Sequence, residues 1–311
     1  MHTPLIRHFN PAPKALALAA AIALAALSAQ AAPALGSAQT FAVLAGTTVT
    51  DAHSAPNPPT QIFGDVGTSP GTSITGLVAG TNVSGGTVHA NDGTAQTAMA
   101  DAVTAYNALA ALPIGVNLTG HVLGSPGFTT LTPGVYRFDT SAQLTGGLVL
   151  DFLSNPSSDF VFQIGSTLTT ASDSFVSVVN ASASSGVYWQ IGSSATLGTG
   201  TDFAGNLLAL TSVTLNGGAQ IVCGRAIGLN GAVTLTDNLV STDCGAQNFG
   251  TNLVDNGSLG FSGGPVTPVP EPATAMLFLA GLAGLAGTRW KAARRPPLKA
   301  VSMCARAQTP E

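Results

Sequence analysis

Short alternations of apolar and polar residues recur along the chain, and some of them repeat. Ala195-Thr196-Leu197, Val213-Thr214-Leu215 and Val233-Thr234-Leu235 follow one another at intervals of 18 and 20 residues. Between them lie Gly205-Asn206-Leu207-Leu208 and Gly224-Arg225-Ala226-Ile227, 19 apart. Phe162-Gln163-Ile164-Gly165-Ser166 is echoed by Trp189-Gln190-Ile191-Gly192-Ser193. Period-two alternation is the mark of a strand, and a repeat of about twenty residues with Gly or Asn between runs predicts the coils of a β-solenoid. Each coil then has three short strands and three corners. Alternation points Val213 and Leu215 inward, and Ser212, Thr214 and Asn216 outward. A Greek-key sandwich would share the strand spacing but not the repeated triplets.

Earlier segments have the same texture with poorer periodicity. Phe41 to Thr50, Gln61 to Val66, Thr72 to Gly76 and Thr129 to Phe138 read as strands, and Pro-Gly pairs such as Pro133-Gly134 mark turns. One stretch differs. Thr94 to Leu112 is Ala-rich, follows Asn91-Asp92-Gly93 and stops at Pro113, which predicts a helix. Ala95, Met99, Ala102, Tyr106 and Leu109 share one face of it. At 1.5 Å per residue it spans about 28 Å, close to six solenoid rungs at ~4.8 Å, so it is long enough to cover one side.

Charge narrows the picture. Charged residues are 8% of the chain, against roughly 25% in an ordinary domain. Between Ala32 and Pro268 there are twelve Asp, two Arg (Arg137 and Arg225), no Glu and no Lys, giving 2 − 12 = −10. A segment without Lys and with net negative charge excludes phosphate-driven nucleic-acid binding. Basic residues gather at the two ends. Arg7 and Lys14, the apolar run Ala15 to Leu27 and Ala29-Gln30-Ala31 read as a secretory signal over 1–31. Residues 32–250 form the expected domain and 251–268 a Gly/Ser/Pro linker. Cys223 and Cys244 fall in the expected exported domain, where an oxidising compartment allows them to pair as a disulfide or leaves them as buried thiols.

Catalytic patterns are scarce. His53, His89 and His121 stand apart, no nucleophile elbow occurs, and no paired carboxylates are available for glycoside chemistry. The expectation is a non-enzyme without cofactor or metal. What the domain does repeat is small polar and apolar residues: Ser193 to Thr196, Thr211 to Thr214 and Gly231 to Thr234, with Ser166 to Thr169 and Ala142 to Thr145 as further rungs. Stacked, they make an uncharged face of hydroxyls and methyls able to hold water in an ordered array. The candidate contact residues are Thr211, Thr214, Ser193, Thr196, Thr234, Gly231, Ser166, Thr169, Ala142 and Thr145.

Two resemblances add to this. Val269-Pro270-Glu271-Pro272, the apolar run Ala273 to Gly287 and the basic cluster Arg289, Lys291, Arg294 and Arg295 resemble the PEP-CTERM sorting signal, here 269–295 with an extension 296–311. That resemblance implies a Gram-negative secreted or cell-surface protein. It also implies passage of 273–287 through the inner membrane and an exosortase cutting near Pro270, Glu271 and Pro272.

The second covers Phe41 to Cys244, which resembles the microbial ice-binding proteins. The matching pieces include Phe41-Ala42-Val43-Leu44-Ala45-Gly46-Thr47-Thr48-Val49-Thr50, Gly64-Asp65-Val66-Gly67, Leu131-Thr132-Pro133-Gly134-Val135-Tyr136, Val187-Tyr188-Trp189-Gln190-Ile191-Gly192 and Phe203-Ala204-Gly205-Asn206. It implies a mainly β fold: a discontinuous right-handed β-helix of triangular cross-section with one long α-helix packed alongside, acting as a monomer. It also implies an ice site on one flat face with motifs of the form Thr-small-any-Thr/Asn. Only Thr211 to Thr214 fits that motif well, with Ser212 as the small residue, whereas Ser193 and Gly231 replace the first Thr of neighbouring rungs. A structural or adhesive cell-surface protein associated with exopolysaccharide is the competing expectation.

Overall fold

The computed structural model describes residues 35–53, 57–153, 158–181 and 185–242. The expected signal segment 1–31, linker 251–268, sorting signal 269–295 and extension 296–311 lie outside the described residues, as does Cys244.

Every coil takes the chain over three faces in the order a, b, c, and the strand pairs are parallel. Face b is one sheet of seven strands in the spatial order Ala142–Leu144, Leu168–Thr170, Ala195–Leu197, Val213–Leu215, Val233–Leu235, Thr48–Asp51, Ser73–Thr75. Face a includes Gly134–Phe138, Asp159–Ile164 and Gly186–Ile191, and continues to Phe41–Ala45, Asp65–Thr68 and Val88–Ala90. Face c includes Gly147–Asp151 and Phe175–Val179, then Leu239–Ser241, Gln61–Phe63 and Val83–Ser84. Two long strands, Asp202–Ala209 and Gln220–Gly228, belong to both c and a because they bend at the corner between them. The bend is a bulge: Ala204 pairs with Val222 and Gly205 with Gly224, leaving Cys223 as the extra residue at φ 58°.

The fold is thus a β-solenoid, but the chain does not climb it in one pass. Residues 41–90 form the coils at one end. The chain then runs back along the side as a helix and builds the remaining coils from the opposite end, until Val233–Leu235 meets Thr48–Asp51. Of the runs expected as strands, Thr72 to Gly76 is one strand, Ser73–Thr75, and the other three are broken by a corner, so Phe41 to Thr50 becomes Phe41–Ala45 and Thr48–Asp51. Gly46 makes that corner because a Cβ there would lie 2.4 Å from the Leu229 carbonyl oxygen.

Apolar residues at alternate positions fill the interior. Tyr136, Phe162 and Trp189 are in register on successive strands of face a, and their rings stack at centroid separations of 5.5 and 3.9 Å. Such pairs contribute ~0.5–1.5 kcal/mol each beyond the area they bury. The Trp189 indole N–H donates to the Ala204 carbonyl at 3.0 Å, so the one polar atom of this ring is satisfied.

The helix, α1, spans Gly93–Ala110. Asp92 caps it, its Oδ1 accepting from the Ala95 N–H at 2.9 Å. The expected stripe Ala95, Met99, Ala102, Tyr106 and Leu109 is buried, together with Ala98 and Ala105. It packs on face a against Leu44, Val161, Tyr188, Leu208 and Ile227. At its far end Gln163, 1% exposed, donates to the carbonyls of Leu109 and Leu112 at 2.8 and 2.9 Å. α1 stops two residues short of the expected Leu112, because the residue before a proline is disfavoured in helical conformation.

Candidate functional site

With face a covered by α1, faces b and c remain for contact with large surfaces. Face c is mixed: Phe175, Asp202, Gln220, Leu239 and Gln61 follow one another along it in register. Face b is uniform. Its central outward position reads Gln143, Thr169, Thr196, Thr214, Thr234, Thr50, Thr75, six threonines in consecutive register. At ~4.8 Å per strand the row extends about 29 Å. The residues immediately before and after point inward, as Val213, Leu215, Val233 and Leu235 do at 0% exposure. Those anchors fix each strand's rotation and hold the threonines in line.

A parallel row stands two residues earlier, ~6.7 Å away. It holds Ser141, Thr167, Ser194, Ser212, Ala232, Thr48 and Ser73. Thr167 Oγ1 donates to Ser141 Oγ at 2.8 Å, and the Ser212 Oγ accepts from the Ala232 N–H at 3.3 Å. The next position holds Thr140, Ser166, Ser193, Thr211, Gly231, Thr47 and Thr72, tied along the stack by bonds such as Thr211 N–H to Ser193 carbonyl at 2.8 Å and Thr47 N–H to Gly231 carbonyl at 3.0 Å. None of these three rows contains a charged residue.

The expected residues fall as follows. Thr169, Thr196, Thr214 and Thr234 share the central row, and Ser166, Ser193, Thr211 and Gly231 the row nearest the corner. Ala142 and Thr145 are corrected. Ala142 pairs with Leu168 and is 1% exposed, so it faces the core, and Gln143 takes the outward place. Thr145 lies beyond the strand at the exposed corner. The expectation that one segment alone fits the four-residue motif is corrected too. Thr47-Thr48-Val49-Thr50 and Thr72-Ser73-Ile74-Thr75 join Thr211-Ser212-Val213-Thr214 in the same register. The signal for them was present, since Thr47 to Thr50 repeats Thr-small-apolar-Thr, but it lies far from the coils it continues.

Gly231 breaks the corner row for a steric reason. A Cβ at that position would stand 2.2 Å from Ser212 Oγ and 2.7 Å from the Thr211 carbonyl oxygen.

Titratable groups lie off the three rows. Asp51 follows Thr50 but turns inward; burial pushes its carboxyl up, against the Thr60 hydroxyl that donates to it at 2.5 Å. Asp139, at the a–b corner, is held below the usual carboxylate range by Asn117 and Arg137. His89 bridges Thr87 and Asp92 at 2.6 and 2.7 Å, and His53 meets Asp237 at 2.6 Å, both on other parts of the surface. Among the described residues no three His, Cys, Asp or Glu are grouped as a metal ion requires.

An array of this kind presents hydroxyls at fixed intervals with methyls between them, and its chemistry is that of a template for water rather than for a solute. Comparison with known proteins agrees. Residues 43–241 match the ice-binding-like family, and residues 268–295 match the PEP-CTERM protein-sorting motif. An ice-binding protein of Nostoc sp. (strain HG1) is 52% identical over 210 residues, covering 68% of this chain and 74% of the relative. One from Flavobacterium frigoris (strain PS1) is 30% identical over 220 residues, covering 67% and 75%. The crystal structure of an ice-binding protein from an Antarctic biological consortium aligns with TM-score 0.59 at 40% identity, over 68% of this chain and 91% of that one. That of the ice-binding protein of Antarctomyces psychrotrophicus aligns with TM-score 0.54 at 32% identity, over 67% and 96%. With a match that spans most of its length and relatives this similar, the chain belongs to the ice-binding-like family.

Proposed function

We propose that the protein binds ice through face b and so slows ice growth or recrystallisation, without catalysis, cofactor or metal. The observation that carries this reading is the central row of six threonines between inward anchors, flanked by a second row of small polar residues and free of charge. A charged group would hold water too tightly and in its own geometry; a hydroxyl holds it with one or two hydrogen bonds, and the adjoining methyl favours release of disordered water. The contact set is Thr169, Thr196, Thr214, Thr234, Thr50 and Thr75, with Ser166, Ser193, Thr211, Thr47 and Thr72 at the corner.

The protein acts as a monomer, exported across the inner membrane of a Gram-negative bacterium by the 1–31 signal. Its C-terminal signal is read by an exosortase, with 273–287 lodged briefly in the membrane and the cut near Pro270, Glu271 and Pro272. The family match over 268–295 supports this reading. Export permits a Cys223–Cys244 disulfide. Ile221 pairs with Val240, so Cys223 lies two residues beyond one partner and Cys244 four beyond the other in sequence, which supports the pairing.

Thermal hysteresis and recrystallisation inhibition of the purified protein test the proposal. Crystal shaping at micromolar concentration is expected. Unaltered growth at high micromolar protein would sink it.

A further inference from the structure

Asn-Gly steps are chemically fragile, because glycine has no Cβ to shield its main-chain nitrogen from the side-chain amide carbon of the asparagine before it. Two such steps lie among the described residues, Asn216-Gly217 and Asn230-Gly231; a third, Asn256-Gly257, falls outside them. Both described steps border face b. Asn230 stands at the a–b corner that precedes Val233–Leu235, and Asn216 at the b–c corner that follows Val213–Leu215.

The two are held differently. The Asn230 side-chain amide donates to the Leu210 carbonyl at 2.9 Å, and its main-chain N–H donates to the same oxygen at 3.1 Å. Gly231 beside it is buried against Ser212 and Thr211, so the main chain has no room to swing toward the side chain. Asn216 is tied through its main chain only. Its N–H donates to the Leu197 carbonyl at 3.0 Å, and its carbonyl accepts from the Ala219 N–H at 3.0 Å and from Asn238 Nδ2 at 2.8 Å. Asn216 is exposed, and neither its side-chain amide nor the Gly217 N–H has a hydrogen-bond partner among the described residues. A Cβ at Gly217 or Gly218 would meet nothing within 4 Å. Alternation after Thr214 and Leu215 directs Asn216 outward, ~6.7 Å along the strand from Thr214.

We propose that Asn216 is a self-modifying site, whose deamidation places a negative charge at the edge of face b and weakens the protein's hold on ice. The reaction needs only water. The Gly217 nitrogen attacks Cγ of Asn216 and a C–N bond forms. The bond from Cγ to the amide nitrogen breaks, and ammonia leaves with the proton that Gly217 gives up. Water then opens the succinimide ring at either carbonyl, yielding aspartate or isoaspartate. The new carboxylate stands beside the threonine row of a face whose three rows carry no charge, and it holds water in its own geometry. Isoaspartate also inserts a methylene into the main chain at the residue whose N–H and carbonyl join its coil to Leu197 and Asn238. The loss of ice activity rests on the proposed function of face b; the reaction at Asn216 does not.

The test ages the purified protein in mildly alkaline buffer and follows it by peptide mapping in a mass spectrometer, with thermal hysteresis measured on the same samples. Asn216 is expected to convert at least ~10-fold faster than Asn230, whose amide must first break its bond to Leu210. Hysteresis should fall in proportion to the fraction converted, and Asn216→Asp should show the lowered value from the start. Gly217→Ala puts a methyl into open space at a φ outside the left-handed region, so it should fold and bind ice normally and keep its activity on ageing. Equal conversion at both asparagines would overturn the site, as would an intact Asn216 while an unfolded peptide of the same sequence converts. If Asn216 converts and hysteresis holds, although Thr214→Tyr abolishes it, the charge stands clear of the ice and its effect on function is refuted. If the fresh unaltered protein fails to shape ice, the reading of face b fails and the effect on ice falls with it; the mass spectra judge the reaction at Asn216 independently.

Discussion

Thr50 and Thr234 stand side by side on adjacent parallel strands of face b although 234 − 50 = 184 positions separate them in the chain. The contact joins the two portions of the solenoid and makes the threonine row continuous across the seam. If the row acts as one surface, a residue on either side of the seam matters equally. Thr214→Tyr and Thr50→Tyr should each abolish or strongly reduce thermal hysteresis, while the melting transition shifts by less than ~0.5 kcal/mol as for other surface changes. Retained hysteresis in Thr50→Tyr alone would confine the site to the coils of residues 166–236.

Gln143 ends the row where a threonine would continue it. Its neighbours Ala142 and Leu144 are buried, so the backbone already holds position 143 outward. Gln143→Thr lengthens the array by one strand and should raise hysteresis at equal concentration. A decrease would show that the terminal strand stands clear of the ice.

Restoring the motif at Gly231 should do the opposite. Gly231→Thr supplies the missing hydroxyl, yet its Cβ would meet a backbone oxygen at 2.7 Å as well as the Ser212 hydroxyl at 2.2 Å. The strand must shift, with a cost of about 1–3 kcal/mol typical of overpacking. Chemical denaturation is expected to show that loss without any gain in activity; a stable and more active variant would contradict the steric account.

Trp189 carries the interior. It is fully buried, stacks on Phe162 and bonds to Ala204. Trp189→Ala should cost about 3–5 kcal/mol in denaturant unfolding. A loss below ~1 kcal/mol would mean that the aromatic column is not what fills these coils.

Acid titration should separate two kinds of aspartate. Asp92, Asp139 and Asp151 are held low by hydrogen bonds, first from the Ala95 N–H, Asn117 and Asn180 respectively. Their contribution is present above the unfolded value near 3.8 and is lost as pH falls through the depressed folded values. Asp202 is raised by burial, so its ionised form weakens the fold, and the penalty disappears as pH falls through its raised value. Asp202→Asn should therefore raise the melting temperature at pH 7 and do so less at pH 3. An equal gain at both would assign the effect to something other than charge.

Much of this was readable from the sequence. The triplets around Thr196, Thr214 and Thr234 announce consecutive coils because those coils are consecutive in the chain. The place of Thr50 and Thr75 in the same row was not readable from periodicity, because nothing in the spacing tells that Thr48–Asp51 follows Val233–Leu235 in space. The displacement at Ala142 has another cause. Aligning Leu144-Thr145 with Leu168-Thr169 differs from the true pairing of Ala142 with Leu168 by two residues, and a two-residue slip keeps inward residues inward. Alternation is blind to it. Gly231 is likewise uninformative until the Ser212 hydroxyl and the Thr211 carbonyl are seen beside it.

α1 adds a property that no single coil has. In a linear stack each unit touches only its neighbours, so the ends can fray one rung at a time and the middle can persist alone. α1 rests on Leu44 from one portion and on Ile227, Val161 and Tyr188 from the other, and Gln163 fastens its last carbonyls. Peeling an outer rung therefore disturbs a rod shared by rungs on both sides of the seam. Melting is expected to be all-or-none, with calorimetric and van't Hoff enthalpies equal, so that a frozen surface pulling on one end of the array loads the whole domain at once.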